Sequence, residues 1–272
     1  RRHVRRQLRV VPDPEGRLRP ASDPLEVPGG ELTVRVARHQ IEVRLDDLLQ
    51  RARIQISIYS TTFFDALGFD VVNFSLQNWV SGEQIHRTEI AHVTDQDKGK
   101  GSTSYTSSIK GTDGLLTNQK GVLCTAFFAD CVPLFFFDPI TEYIGIAHAG
   151  WKGSVNRIAE KMVEAFAKVG VKPENLFVAI GPCISQQNYE VDERVIQSIR
   201  AGERENAVRS LGKNRFLLDL KQLNVDILLQ SGVLRHNIEV TNYCTYRDDE
   251  LFFSHRRDHG KTGRMLGFIG FQ

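Results

Sequence analysis

Three residues can make a metal site: His86, Cys131 and His148. His86 ends the stretch Ser81-Gly82-Glu83-Gln84-Ile85-His86, where an extended chain would turn Gln84 and His86 to the same side. Cys131 follows Ala129-Asp130 at the junction of two apolar runs, and His148 closes a third run in His148-Ala149-Gly150-Trp151-Lys152-Gly153. A thiolate with two imidazoles suits zinc, and three protein ligands leave the open fourth position of a catalytic site. Spacing by itself favours plain packing, because no CxxC or HxxxH signature joins these three residues and a cysteine on a buried strand usually serves as a small hydrophobe. Gly150 and Gly153 add some weight to a site without deciding for it, since they bring backbone close to something and precede a helix N-terminus.

A second group, Ser254 to Arg264, carries Arg256, Arg257, Lys261 and Arg264 on a glycine-punctuated loop, a composition able to hold phosphate or another anion. A solvated basic loop is the competing reading. Gly260-Lys261-Thr262 is not a phosphate-binding P-loop, because the upstream glycine spacing and strand–loop–helix setting are missing. Asp130 and Gln84 are the polar neighbours able to relay protons or orient ligands. Cys124 and Cys183 read as packing residues, although the turn Gly181-Pro182-Cys183 offers a way into the same pocket.

The elements that must position these groups are most regular in the centre of the chain. Residues 122–128, 132–137 and 143–148 are apolar runs suited to neighbouring strands of a buried sheet. Val155, Ile158, Met162, Val163, Phe166 and Val169 then form one helical stripe, stopped by Gly170. A strand is expected at 176–180, and a helix from Asp192 carrying Val195, Ile196 and Ile199. Asp219 with Gln222 predicts a capping box for a helix ending at Gly232. Closing strands are expected at 238–244, 251–254 and 265–271. Upstream, 94–112 reads as an exposed polar loop, 33–36 and 54–58 as strands, and 1–32 as a loose arm. The fold expected is a single mixed-sheet α/β (α+β) domain.

Bulk composition is that of a globular protein: 272 residues, 41% hydrophobic, 25% charged and net charge +2, with no bias toward nucleic acid. Arg1, Arg2, Arg5, Arg6 and Arg9 lack interleaved aromatics and read as a solvated tail. No apolar leader or membrane-length run is visible, and the four cysteines are dispersed; the expectation is reduced thiols, a cytoplasmic location and no membrane partner. Nothing in composition specifies an oligomeric state.

Taken in order, several short motifs resemble one family. They are Gln84 with His86, Gly111-Thr112-Asp113-Gly114, Ala129-Asp130-Cys131-Val132-Pro133, His148 to Gly153, Gly181-Pro182-Cys183-Ile184, Ser254 to Asp258, and Thr262-Gly263-Arg264-Met265. Together they resemble the YfiH-type laccase-domain (purine nucleoside phosphorylase YfiH/laccase) family across residues 74–272. The resemblance implies a YfiH-like domain of mixed sheets packed between helices, with one zinc on His86, Cys131 and His148. It implies phosphorolysis of adenosine, inosine and methylthioadenosine, with phosphate as the second substrate. Deamination of adenosine is implied alongside, zinc acidifying a water for attack at purine C6. Cys131, His86, His148 and Asp130 would then be catalytic, and Gln84, Arg256, Arg257 and Arg264 would bind substrate. Family members are also described as copper polyphenol oxidases and as factors that keep peptidoglycan precursors correct. A true multicopper enzyme needs more than this chain's eight histidines, none of which forms a His-x-His pair. A Cys131–His148 hydrolase is the non-metal alternative.

Residues 69–272 are expected to form the catalytic domain. The family's N-terminal Arg-x-Gly-Gly and Ser-x-Asn-Leu elements, which help to close the active site, have no counterpart in residues 1–68. Either that segment has diverged, or it is itself read in a shifted frame; peptide mapping that matches residues 1–68 as written rules out the shift.

Overall fold

The computed structural model describes the backbone of residues 54–60 and the whole of residues 74–271. The expected arm at 1–32 and strand at 33–36 lie outside these residues. The strands are β1 (Ile54–Ser60), β2 (Trp79–Ser81), β3 (Ile90–His92), β4 (Gly114–Thr117), β5 (Leu123–Phe128), β6 (Val132–Asp138) and β7 (Tyr143–Ala149). They continue with β8 (Phe177–Ile180), β9 (Glu190–Asp192), β10 (Val208–Gly212), β11 (Arg215–Leu218), β12 (Ile238–Val240) and β13 (Met265–Phe271). The helices are α1 (Trp151–Val155), α2 (Ile158–Lys168), α3 (Glu193–Gln197), α4 (Ala201–Ala207) and α5 (Leu220–Gln230).

The strands build three sheets, in the orders β1-β13-β5-β2, β12-β8-β6-β7-β4-β3 and β10-β11-β9. Parallel pairs (β2–β5, β3–β4, β8–β12) mix with antiparallel ones, giving a mixed α+β fold. β6 shows why its run is apolar throughout. Leu134 and Phe136 pack with Ile158, Met162 and Phe166 of α2 and with Leu223 and Ile227 of α5. Phe135 and Phe137, on the opposite face, pack with Phe128 of β5 and Met265 and Ile269 of β13. Side chains alternate across a strand, so this central strand, covered on both faces, is apolar from Val132 to Phe137 and turns polar only at its last residue, Asp138. The six-stranded sheet thus has helices on one side and the four-stranded sheet on the other.

Several expectations are corrected. The runs 122–128 and 132–137 are not neighbours in one sheet: β5 belongs to the four-stranded sheet and β6 to the six-stranded one. The single helix expected through Val155–Val169 is broken into α1 and α2 at Arg157, which is left-handed (φ 64°). The side chain of Arg157 explains that cost, because it is buried between Glu160, Glu203 and Gln230. The helix begun by Asp192 ends at Gln197, before Ile199. Asp219 caps α5 by accepting from Gln222 N–H (3.0 Å), but the Gln222 amide reaches forward to Asp226 and leaves the box half made. Strand 238–244 stops at Val240. Residues 251–254 are irregular, with Phe252 and Phe253 anchored in the core between the sheets. The β10–β11 hairpin was not expected; Lys213 and Asn214, both at positive φ (51° and 56°), make its two-residue turn. No helix among the described residues is long and apolar enough to cross a membrane.

Candidate metal centre and its cavity

Cys131 stands where the chain crosses from one sheet to the other. The corner is turned by Asp130 (φ 81°), a conformation that a non-glycine residue holds only when its surroundings fix it. Here they do. The Asp130 carboxylate accepts from Thr245 Oγ1 (2.6 Å) and from the Arg256 backbone N–H (2.7 Å), and its carbonyl accepts from Ile184 N–H (3.1 Å). His148 is the penultimate residue of β7 and pairs in register with Pro133, two residues beyond Cys131. Antiparallel pairing of β6 with β7 therefore brings the sulfur and the imidazole together.

His86 arrives from the four-stranded sheet on a strap that follows β2. The expected extended arrangement of Gln84 and His86 is corrected: both lie at positive φ (56° and 61°). The Gln84 carboxamide instead acts as a substitute strand residue against β5, accepting from Phe127 N–H (2.8 Å) and donating to its carbonyl (2.7 Å). The next three backbone N–H groups, of Ile85, His86 and Arg87, donate to the Asp113 carboxylate at 3.1, 2.9 and 2.9 Å.

The ligand atoms of His86, Cys131 and His148 all lie within 4.8 Å of one another. The two imidazoles meet edge to face with centroids 4.8 Å apart. Exposure falls from His86, which is open, through Cys131 to His148, which is buried, so the group faces outward through His86. Burial opposes a thiolate at Cys131, but the charge of His148 and hydrogen bonds from both histidines outweigh it and bring the thiol down to about 6. Burial likewise opposes protonation of His148, yet the sulfur charge and Asp113 raise it to about 9. Cys124 shows the opposite behaviour: burial without a partner pushes it up to about 12. Burial raises Cys183 as well, and it lies outside the cavity although its neighbour Ile184 lines it.

The residues fit a metal ion. One soft thiolate and two imidazoles converge, and Gly150 leaves them room: a Cβ there would stand 2.9 Å from His86 Cδ2 and 3.1 Å from Cys131 Sγ. Among the described residues this is the one group of three or more potential ligands that close together.

The trio faces a cavity of about 820 Å³. Trp151, Phe127 and Tyr189 supply aromatic lining, the hydroxyl-bearing loop from Ser102 to Tyr105 forms another part of the wall, Arg256 and Arg264 contribute cations, and His255 adds an imidazole. The 94–112 segment is thus a cavity wall as well as a polar connection. The Arg256 guanidinium lies 4.9 Å over the Tyr189 ring and donates to the Glu190 carbonyl (2.9 Å). Burial, followed by the nearby sulfur charge, pushes the Tyr189 phenol up, so it stays neutral. Arg264 donates to the carbonyls of Thr262 and Gly263. Arg257 is not part of the lining: it is turned into the protein, where it pairs with Asp258 and donates to the carbonyls of Thr245 (2.9 Å) and Phe252 (3.0 Å). Asp130 and Gln84 do border the cavity, with their polar atoms engaged as described. Asp113 and Tyr189 were not singled out from the sequence. The only trace of Asp113 there is its place in Gly111-Thr112-Asp113-Gly114.

A family model described as multi-copper polyphenol oxidoreductase laccase matches residues 66–272. The purine nucleoside phosphorylase YlmD of Bacillus subtilis (strain 168) is 46% identical over 204 residues, covering 74% of this chain and 73% of that protein. The protein of the same name from Geobacillus stearothermophilus is 43% identical over 201 residues, covering 72% and 73%. The crystal structure of the Bacillus licheniformis hypothetical protein YfiH aligns with a TM-score of 0.77 at 34% identity, covering 81% of this chain and 93% of that one. That of Geobacillus stearothermophilus YlmD aligns with a TM-score of 0.73 at 35% identity, covering 80% and 92%. The sheets, the cavity and the motifs that line it are accounted for together: this chain belongs to the multi-copper polyphenol oxidoreductase laccase family, alongside YlmD and YfiH.

Proposed function

We propose that this chain is a zinc-dependent purine nucleoside phosphorylase, acting on adenosine, inosine and methylthioadenosine, with adenosine deamination as a side activity. The observation that carries the proposal is the convergence of His86, Cys131 and His148 at a cavity that also presents Arg256 and Arg264. The names of the relatives supply the reaction class.

In phosphorolysis a phosphate oxygen bonds to the ribose anomeric carbon as the bond to the base nitrogen breaks, and the base departs with a proton. The chain must therefore hold an anion beside a neutral sugar and present a flat apolar surface to the purine. Arg256 and Arg264 carry the positive charge suited to phosphate. The aromatic faces of Phe127, Trp151 and Tyr189 suit a purine. Arg256 is held in three ways, through its backbone by Asp130, by Glu190 and by the Tyr189 ring, so its charge is directed before substrate arrives. Both Asp130 oxygens accept hydrogen bonds already, which supports a holding role over proton relay. Zinc on His86, Cys131 and His148 supplies Lewis acidity at the cavity wall.

The copper oxidase reading draws on the family's description and on a donor set of two histidines and one cysteine, which copper accepts. It lacks further histidine pairs in the sequence. Assay of purified protein with and without phosphate, alongside metal analysis, decides between them. Release of hypoxanthine or adenine that requires phosphate, with about one zinc per chain, is the expected result. Phosphate-independent phenol oxidation by the copper-loaded protein, with no base released by the zinc-loaded one, would overturn the proposal.

A further inference from the structure

Asp113 is not a ligand of the trio, yet four donors converge on its side chain. One oxygen accepts from Ile85 N–H (3.1 Å) and Arg87 N–H (2.9 Å); the other accepts from His86 N–H (2.9 Å) and from His148 Nδ1 (3.0 Å). The carboxylate is fully covered. Its position follows from strand register: Gly114 pairs with Ala147 at the start of β4, which sets Asp113 beside His148, and its carbonyl accepts from His148 N–H (2.8 Å).

Two consequences follow from hydrogen-bond chemistry. An ionised carboxylate only accepts, so in the neutral imidazole that a metal binds, Nδ1 of His148 carries the proton and Nε2 keeps the lone pair. The same carboxylate gathers three successive N–H groups of the strap that carries His86, two of whose residues hold positive φ. We infer that Asp113 is the positioning residue of the metal centre. One carboxylate sets the tautomer of one histidine ligand and the backbone from which the other projects, so the two histidines, which come from different sheets, are aimed as a unit. This inference rests on the metal reading above.

The test is Asp113→Asn, nearly the same shape with one acceptor exchanged for a donor. Either orientation of the amide sets its NH₂ against a donor: the strap N–H groups, or His148 Nδ1–H, which would drive the histidine to the tautomer protonated at Nε2. Zinc affinity, measured by competition with a chromophoric chelator, is expected to fall about 10- to 100-fold with one site retained. In the cobalt form the ligand-field bands should move while the thiolate charge-transfer band of Cys131 remains. Histidine-selective ¹⁵N NMR of the zinc-loaded natural chain should find the His148 proton on Nδ1. A folded Asn variant that binds zinc within twofold of the natural chain overturns the inference and leaves the metal reading standing. So does a His148 proton found on Nε2, a measurement that needs no variant to fold. A natural chain that takes up no zinc overturns both.

Discussion

At the residue scale, the candidate site depends on who occupies each hydrogen-bonding atom. Arg256 and Arg257 are adjacent in sequence and were grouped as anion binders, but they face different surroundings. Arg256→Ala is expected to raise the KM for phosphate about tenfold or more, as loss of a charge-assisted hydrogen bond of about 1.5–3 kcal/mol would. Arg257→Ala removes donors to Thr245 and Phe252, so its effect should fall on stability, by about 1.5–3 kcal/mol in denaturant unfolding, with a smaller change in that KM. Equal KM effects of the two would contradict the assignment. Gly150 gives a sharper case, because its hydrogen is the only substituent that the space beside His86 and Cys131 admits. Gly150→Ala should weaken zinc binding at least about tenfold in a chelator competition, since displaced ligands lose metal affinity on the scale of displaced supporting groups. Circular dichroism should be unchanged.

At the scale of elements, the break between α1 and α2 places a buried arginine where a continuous helix would have left a solvent-facing one. Arg157 neutralises Glu203, whose side chain is 3% exposed, and also binds Glu160 and Gln230. Removing one partner of a buried pair leaves the other charge uncompensated, so Arg157→Ala should cost about 3–5 kcal/mol, read as a lower midpoint in urea unfolding. The double variant Arg157→Ala with Glu203→Gln should recover part of that loss. A loss of less than about 1 kcal/mol in the single variant would show that the pair is solvated.

At the scale of the molecule, the trio joins two sheets: His86 comes from the strap beyond the four-stranded sheet, Cys131 from the corner between sheets, and His148 from the six-stranded one. A metal bound there clamps the interface and binds the folded chain in preference to the unfolded one. At zinc 100-fold above Kd the added stability is about 2.7 kcal/mol. For a domain of about 200 residues that shift is about 5–10 °C in Tm, measured by comparing chelator-treated and zinc-reloaded protein. No shift in a protein that demonstrably holds zinc would place the site outside the cooperative core.

The sequence by itself determined the strongest local patterns. Mostly apolar runs specify β5, β6 and β7, the stripe from Ile158 to Phe166 specifies α2, and Asp219 marks the start of α5, because these signals lie within a few residues of one another. The types of the trio residues were legible too, since thiolate and imidazole chemistry belongs to the side chain and not to its surroundings. Tertiary structure alone decided what depended on partners far along the chain. The left-handed corners at Gln84, His86 and Asp130 are held by Phe127, Asp113, Thr245 and Arg256, distant in sequence for the most part. So is the division of β5 and β6 between two sheets, which an apolar run cannot encode because either sheet would bury it equally. Two neighbouring arginines, one at the cavity and one turned inward, differ in what the folded chain brings within reach: the Tyr189 ring and the Glu190 carbonyl for Arg256, Asp258 and the Thr245 and Phe252 carbonyls for Arg257. The candidate metal centre shares that dependence: its potential ligands are written in the sequence, and their meeting within 4.8 Å is a property of the fold.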